Sequence, residues 1–225
     1  MSKKYQILTA GTVELDKIQF EKLYKTANGI TKANIGYNGK PFLIRSPNVV
    51  LGSNVEKCGD FYYIDLVFDG HTKNKKNLEF LDLIRNTDNL IISEIFENGK
   101  LWYPEQGTEP GLCQIESQYI PSIKLSTIYT DRYSLKLKVP IKQVEFYDAD
   151  NIEVPYQLLK AGYTTTALLQ LNQVYKEGEH VWADWQIIQL KTQIPEQIFT
   201  GCQLADVEDA PDEEDETTIE DPDFY

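Results

Sequence analysis

Along residues 164–192 the apolar side chains recur at even spacings. Leu169, Leu171 and Tyr175 lie two or four positions apart, and Val181, Ala183, Trp185 and Ile187 repeat every second position. Period two sends alternate side chains to opposite faces of a strand, so this stretch predicts two β-arms joined by a short turn at residues 176–179. The first-named residues form the core face. The other face of the second arm holds Trp182, Asp184, Gln186 and Ile188, one large aromatic among polar groups, as on a half-hidden surface.

Similar alternation recurs upstream. Ala33, Ile35 and Tyr37 lead into Asn38-Gly39, with Phe42 and Ile44 beyond it. Asn-Gly between alternating runs predicts a hairpin, because both central residues of a type I′ turn need positive φ. Phe61–Phe68 reads as a strand with Ile64, Leu66 and Phe68 on one face and Phe61, Tyr63 and Asp65 on the other. Ile123, Leu125 and Thr127 alternate, then after a turn at Thr130-Asp131 so do Tyr133, Leu135, Leu137 and Val139, and Val144, Phe146 and Tyr147 follow. Leu78, Leu81, Leu83 and Ile84 approach helical spacing instead, predicting a helix of about 10–14 residues. Residues 1–30 satisfy neither period and suggest a strand and a short helix ending at Asn28-Gly29. Residues 104–114 are loop-like, and residues 155–162 suggest a single helical turn. Many short strands with frequent turns and one inserted helix predict a mainly β fold, a barrel or sandwich.

Composition changes this picture in one respect. The net charge of −13 opposes nucleic-acid binding, yet residues 206–225 hold eleven Asp and Glu and no Lys or Arg. Without those eleven, 24 acidic residues face 22 basic ones, so residues 1–205 carry only about −2. The tail is too acidic and too poor in apolar groups to fold, which predicts a folded domain over 1–195 and a disordered acidic tail over 196–225. It ends in Asp223, Phe224 and Tyr225, an aromatic pair that solubility alone does not call for. Cys58, Cys113 and Cys202 are widely separated and read as thiols in a reducing compartment. Neither a signal peptide nor an apolar run near 18 residues is present, so the reading is soluble and intracellular, without a membrane partner.

Enzyme chemistry is thinly represented. The two histidines, His71 and His180, spell out neither a triad nor a zinc site. Gly29, Gly36, Gly39 and Lys40 miss phosphate-loop spacing, and Asp148 and Asp150 suit a turn better than a two-metal carboxylate set. The expectation is a non-enzyme with no catalytic residues, no metal and no cofactor, a metal-dependent nuclease being the weakest alternative. Binding residues are more evident. Arg132, Lys136 and Lys138 share one strand face, Lys73, Lys75 and Lys76 cluster in a loop, Trp102 and Tyr103 follow a turn, and Tyr175 and Trp182 flank the last hairpin turn. Cations along phosphates and aromatic faces against bases are what a single strand requires. Each residue also has a plainer reading, as solvated strand face or core; for Trp185 the core is preferred.

The succession FLIRSP, FYYIDLVF, NLEFLDLIRNTDNLII, YSLKLKVP, LLQLNQVY and WADWQIIQLK, spread over residues 30–192, resembles the single-stranded-DNA-binding proteins of large DNA viruses of eukaryotes. That resemblance implies an OB-like barrel with extra strands, a recurrent tryptophan at Trp185 and a variable C-terminal region. The acidic turn at residues 176–179 departs from the basic pattern of that family. The tail resembles that of phage proteins that coat single-stranded DNA and recruit a polymerase through an acidic, aromatic-ended C-terminus. Together these imply a coating protein for viral or phage DNA replication and recombination, acting at replication sites. Its partners would be single-stranded DNA and, through the tail, DNA polymerase or other replication proteins, and a homo-oligomer is compatible with it. A β-barrel interaction protein of a virion or replication complex, without DNA affinity, is the alternative.

Overall fold

A computed structural model describes residues 5–68, 74–104, 106, 108–125 and 132–195. The expectations for Lys73, the turn at residues 130–131 and the tail with Asp223, Phe224 and Tyr225 lie outside the described residues. The chain opens with β1 (Ile7–Thr9), β2 (Ile18–Phe20) and β3 (Tyr24–Lys25), with 3-10 turns at Ala10–Thr12 and Leu15–Lys17. Among the described residues no α-helix precedes Gly29, because the apolar residues there hold no 3.6-residue stripe that a helix could bury. β4 (Thr31–Tyr37) and β5 (Lys40–Arg45) form the hairpin at Asn38-Gly39. The two turn residues have φ of 50° and 71°, as a type I′ turn requires. β6 (Val49–Leu51), β7 (Glu56–Cys58) and β8 (Phe61–Phe68) follow, and Ile64, Leu66 and Phe68 are buried as their alternation predicts.

Helix α1 (Lys75–Glu97) runs for 23 residues, well past the expected length. Its start is capped by the Asn74 side chain, whose Oδ1 accepts from the backbone N–H of Lys76 and Asn77 at 3.1 and 3.3 Å. The buried stripe is Phe80, Leu81, Ile84, Asp88, Ile91 and Ile95, spaced as one helical face, whereas Leu78 points outward. In the middle of the helix, Thr87 turns its hydroxyl back onto the Leu83 carbonyl at 2.8 Å and Asp88 faces inward. Two short helices follow, α2 (Gly99–Trp102) and α3 (Leu112–Gln118), the second beginning at the end of the stretch 104–114 expected to be loop.

The remaining strands are β9 (Tyr119–Ile120), β10 (Lys124–Leu125), β11 (Tyr133–Pro140), β12 (Glu145–Tyr147), β13 (Thr164–Glu177) and β14 (His180–Thr192). Among the described residues fourteen strands join one sheet. One edge of β13 pairs with β14 from Thr165↔Thr192 to Glu177↔His180, closing at Gly178-Glu179. Gly178, with φ of 57°, takes the first turn position, where a type II′ turn favours glycine. The other edge of β13 is occupied in succession by β4, β5 and β6. From β6 the sheet continues through β8 to β11 and β10, so it curls round the core. The mainly β class is thus realised, and residues 1–194 form one compact unit.

Two irregularities interrupt the β13–β14 ladder, at Leu168/Leu169 and at Leu171/Gln173. A bulge adds a residue to one strand and shifts the alternation beyond it. Ala167, Leu169 and Leu171 are buried, but after the second bulge Val174 and Lys176 point inward and Tyr175 is only half-buried. Tyr175 therefore does not share the core face of Leu169 and Leu171, as its spacing predicts. It sits opposite Trp182 on the outer face.

Gly52, just beyond β6, lies where a Cβ atom would come within 2.5 Å of Val67 Cγ2 and 2.8 Å of Asp65 Oδ2. Overpacking of this kind costs about 1–3 kcal/mol. Gly52→Ala should lower the urea midpoint by a corresponding amount with the m-value unchanged. An unaltered midpoint would contradict this close approach.

Candidate functional site

The strands β11 and β14 approach each other without pairing; β11 is bonded to β8 and β10, and β14 to β9, β12 and β13. A groove of about 710 Å³ lies along this seam. One wall is the polar face of β11, with Ser134, Lys136 and Lys138, and Lys124 of β10 beside it. The opposite wall is the outer face of β14, with Trp182, Asp184 and Gln186, and includes Tyr175 of β13. Phe61 lies at one side, and Ile120, Pro121 and Ser122 at another.

Lys136 pairs across the strands with Asp65, and Lys138 with Tyr63. Burial raises the Asp65 carboxyl above its ordinary value, against the lowering effect of Lys136. The Lys138 ammonium lies 4.1 Å from the Phe61 ring centroid, so its charge is held against that ring, and both side chains line the groove. On the other wall Tyr175 and Trp182 stack at 5.5 Å with 13° between ring planes. Asp184 accepts from Gln186 Nε2 at 2.7 Å. Burial pushes its carboxyl upward, while hydrogen bonds from Asn172 and Gln186 and the charge of Lys32 oppose the shift.

The segment bearing Ile120 and Ser122 is tied to α1. Asp88, buried in the helix, accepts from the Tyr119 hydroxyl at 2.7 Å, the Ser122 hydroxyl at 2.6 Å and the Ser122 N–H at 2.9 Å. Burial nevertheless dominates, raising the Asp88 carboxyl, and it drives the Tyr119 hydroxyl well above its ordinary value. The helix thus fixes one lip of the groove.

Of the residues singled out from sequence, Lys136, Lys138, Tyr175 and Trp182 meet in this groove. Arg132 is half-buried at the entrance to β11 and does not line it. Lys76 lies in a separate cleft with Thr12, Arg45 and Glu79, while Lys75 is exposed at the start of α1 and pairs with Glu79 at 3.6 Å. Trp102 and Tyr103 require correction as stacking candidates. They are 0% and 2% exposed, Tyr103 donates its hydroxyl to Gln118 Oε1 at 2.7 Å, and Lys176 covers its ring at 4.4 Å. The short helix α2 turns both inward where the sequence suggested a surface turn. Trp185 is core, 3% exposed and tilted against Phe42 at 6.0 Å. Phe61, Lys124, His180, Asp184 and Gln186 are among the groove residues missed from sequence; the polar outer face of β14 was the available signal for Asp184 and Gln186.

Asp148 Oδ1 accepts from the N–H groups of Asp150 and Ile152, both at 2.9 Å, which accounts for the acidic pair as turn chemistry. Among the described residues no group of three or more His, Cys, Asp or Glu side chains is arranged to hold a metal ion. No described helix is long and apolar enough to cross a membrane.

No family model and no curated protein sequence matches this chain. Among solved structures it is similar to gp2.5, a single-stranded DNA binding protein encoded by bacteriophage T7, with a TM-score of 0.49 and 12% identity over 72% of this chain and 91% of that one. It is also similar to the single-stranded DNA-binding protein from bacteriophage Enc34, with a TM-score of 0.42 and 12% identity over 83% of this chain and 96% of that one. The Enc34 protein in complex with ssDNA gives 0.40 and 13%, over 81% and 99%. Overlap at this level describes those proteins rather than the function of this chain.

Because the Asp184 carboxyl is raised on folding, the folded chain holds its proton more tightly than the unfolded chain. The resulting stability is complete below the ordinary value of 3.8 and is lost as pH rises through the raised value. Asp184→Asn should remove part of the decline in urea midpoint measured from about pH 4 to 7, the usual range for raised carboxyls. Asp65, Asp88 and Glu94, shifted the same way, retain the remainder. Parallel pH profiles for variant and wild type would contradict this assignment.

Proposed function

We propose that the chain is a non-enzymatic single-stranded-DNA-binding protein whose strand runs in the groove between β11 and β14. The observation that carries this reading is the pairing of chemistries across the seam. Among the described residues Lys124, Lys136 and Lys138 stand with one groove-lining carboxylate, Asp184, and the stacked pair Tyr175–Trp182 faces them, with Phe61 beside Lys138. Ammonium groups follow phosphates, and ring faces take bases at about 1–3 kcal/mol per stack. A nearly neutral body with this local excess of cations suits a polyanion far better than the total charge suggests. Little in the groove reads base edges, so sequence preference is slight.

The acidic tail completes the proposal. It is a polyanion that competes with DNA for the lysine-bearing wall and is displaced on binding, freeing Asp223, Phe224 and Tyr225 to engage a replication partner such as a DNA polymerase. The protein would then coat and protect single strands during viral or phage DNA replication inside a host cell.

The test is titration of the full chain and of a form ending at Ala205 with oligo(dT) over a series of salt concentrations. The truncated form should bind more tightly. Lys136→Ala combined with Lys138→Ala should weaken binding and reduce the salt slope by about 1.4, at about 0.7 per phosphate contact on a single strand. A slope unchanged in the double variant removes these lysines from the DNA path. Equal affinity with and without the tail ends the competition account, and no binding by any form favours a protein-interaction barrel.

A further inference from the structure

Beyond the groove, the outer face of β13 and β4 carries a second set of aromatic and cationic groups in line with the first. Tyr175, which stacks on Trp182, has the Lys32 ammonium 5.2 Å from its ring centroid on β4. The same ammonium lies 5.5 Å from the ring of Tyr24 on β3, and Tyr24 is 41% exposed. Trp182, Tyr175, Lys32 and Tyr24 therefore form a row of neighbours, two of which, Trp182 and Tyr175, line the groove.

This row is held in place. The Gln173 carboxamide accepts from the Tyr175 hydroxyl at 2.6 Å and donates to the Tyr24 hydroxyl at 2.9 Å, gripping both rings by their tips. Gln173 also bonds Asn34, which donates to Glu21 at 2.7 Å. The bulge at Leu171/Gln173 is what turns both Gln173 and Tyr175 outward. Rings standing on a sheet with a lysine between them, fixed by hydrogen bonds rather than by burial, provide stacking faces and a phosphate contact at low ordering cost. The acidic groups nearby are Glu21, engaged by Asn34, and Asp184, whose upward shift Lys32 opposes.

We propose that a bound single strand leaves the groove over Trp182 and Tyr175 and continues onto Lys32 and Tyr24, which form a second subsite for one phosphate and an adjacent base. This rests on the groove binding a single strand at all, and the two claims separate by oligonucleotide length.

The full chain and the variants Tyr24→Ala, Tyr24→Phe and Lys32→Gln are titrated with oligo(dT) of about 5 and about 15 nucleotides, spanning the site sizes of such folds. Tyr24→Ala should weaken the longer oligonucleotide about tenfold, as loss of one stack implies, and leave the shorter one within about twofold. Tyr24→Phe, which keeps the ring but loses the bond from Gln173, should lose less than Tyr24→Ala on the longer oligonucleotide and leave the shorter one unchanged. Lys32→Gln should reduce the salt slope by about 0.7 for the longer oligonucleotide only. Unchanged binding of both lengths by Tyr24→Ala and Lys32→Gln, with Lys136→Ala/Lys138→Ala still impaired, overturns the second subsite and leaves the groove in place. Equal losses at both lengths also overturn it, and failure of the wild type to bind either length overturns both claims.

Discussion

The structure depends on the double pairing of β13. Its two edges are filled by β14 on one side and by β4, β5 and β6 in turn on the other, so residues far apart in sequence are brought into register on a single strand. Such a strand is buried on its core face by Ala167, Leu169, Leu171 and Val174, all fully inaccessible. The bulge at Leu171/Gln173 then rotates the last third of the strand by one position. Without it Tyr175 would enter the core and Lys176 would stand in solvent. With it, Tyr175 joins Trp182 outside, while Lys176, 5% exposed, spans the Tyr103 ring.

The groove follows from how the sheet curls. The path from β13 through β6 and β8 brings β11 round to face β14, and because the two do not pair, the seam stays open. The open seam exposes lysine side chains that alternate with buried Leu135, Leu137 and Val139 on β11. Electrostatic attraction therefore lies on one wall and stacking area on the other. Asp184 counts against a polyanion, but it is largely buried, hydrogen-bonded and near Lys32, so its charge is partly offset before a phosphate arrives.

Legibility in the sequence tracked the locality of each cause. The Asn38-Gly39 hairpin and the alternation of Ile64, Leu66 and Phe68 or of Leu135, Leu137 and Val139 were readable because turn chemistry and period two act over a few residues. Lys136, Lys138 and Trp182 were readable as outward-facing for the same reason. The inward turn of Trp102 and Tyr103 was not, because α2 and the partners Gln118 and Lys176 come from distant parts of the chain. Nor was the bulge, which leaves no mark in residue type. The helix runs past the expected length of about 10–14 residues because the polar Thr87 and Asp88 do not interrupt it: one bonds back along the helix and the other anchors Tyr119 and Ser122. Tyr24 belongs to a stretch with no clear period and Lys32 to the outer face of the β4 alternation, and only the register of β4 with β3 and β13 brings them to Tyr175.

Of the three tryptophans, Trp102 is 0% exposed, Trp185 lines the groove from the core at 3% exposure, and Trp182 lines it half-buried. The most direct measurement is intrinsic tryptophan fluorescence of the wild type and Trp182→Phe during titration with oligo(dT), with binding followed independently by anisotropy of the labelled oligonucleotide. The account predicts quenching of the wild type on binding and loss of most of that quenching in Trp182→Phe, which binds more weakly. Binding that leaves wild-type fluorescence untouched, or equal quenching in the variant, would place the strand elsewhere on the protein.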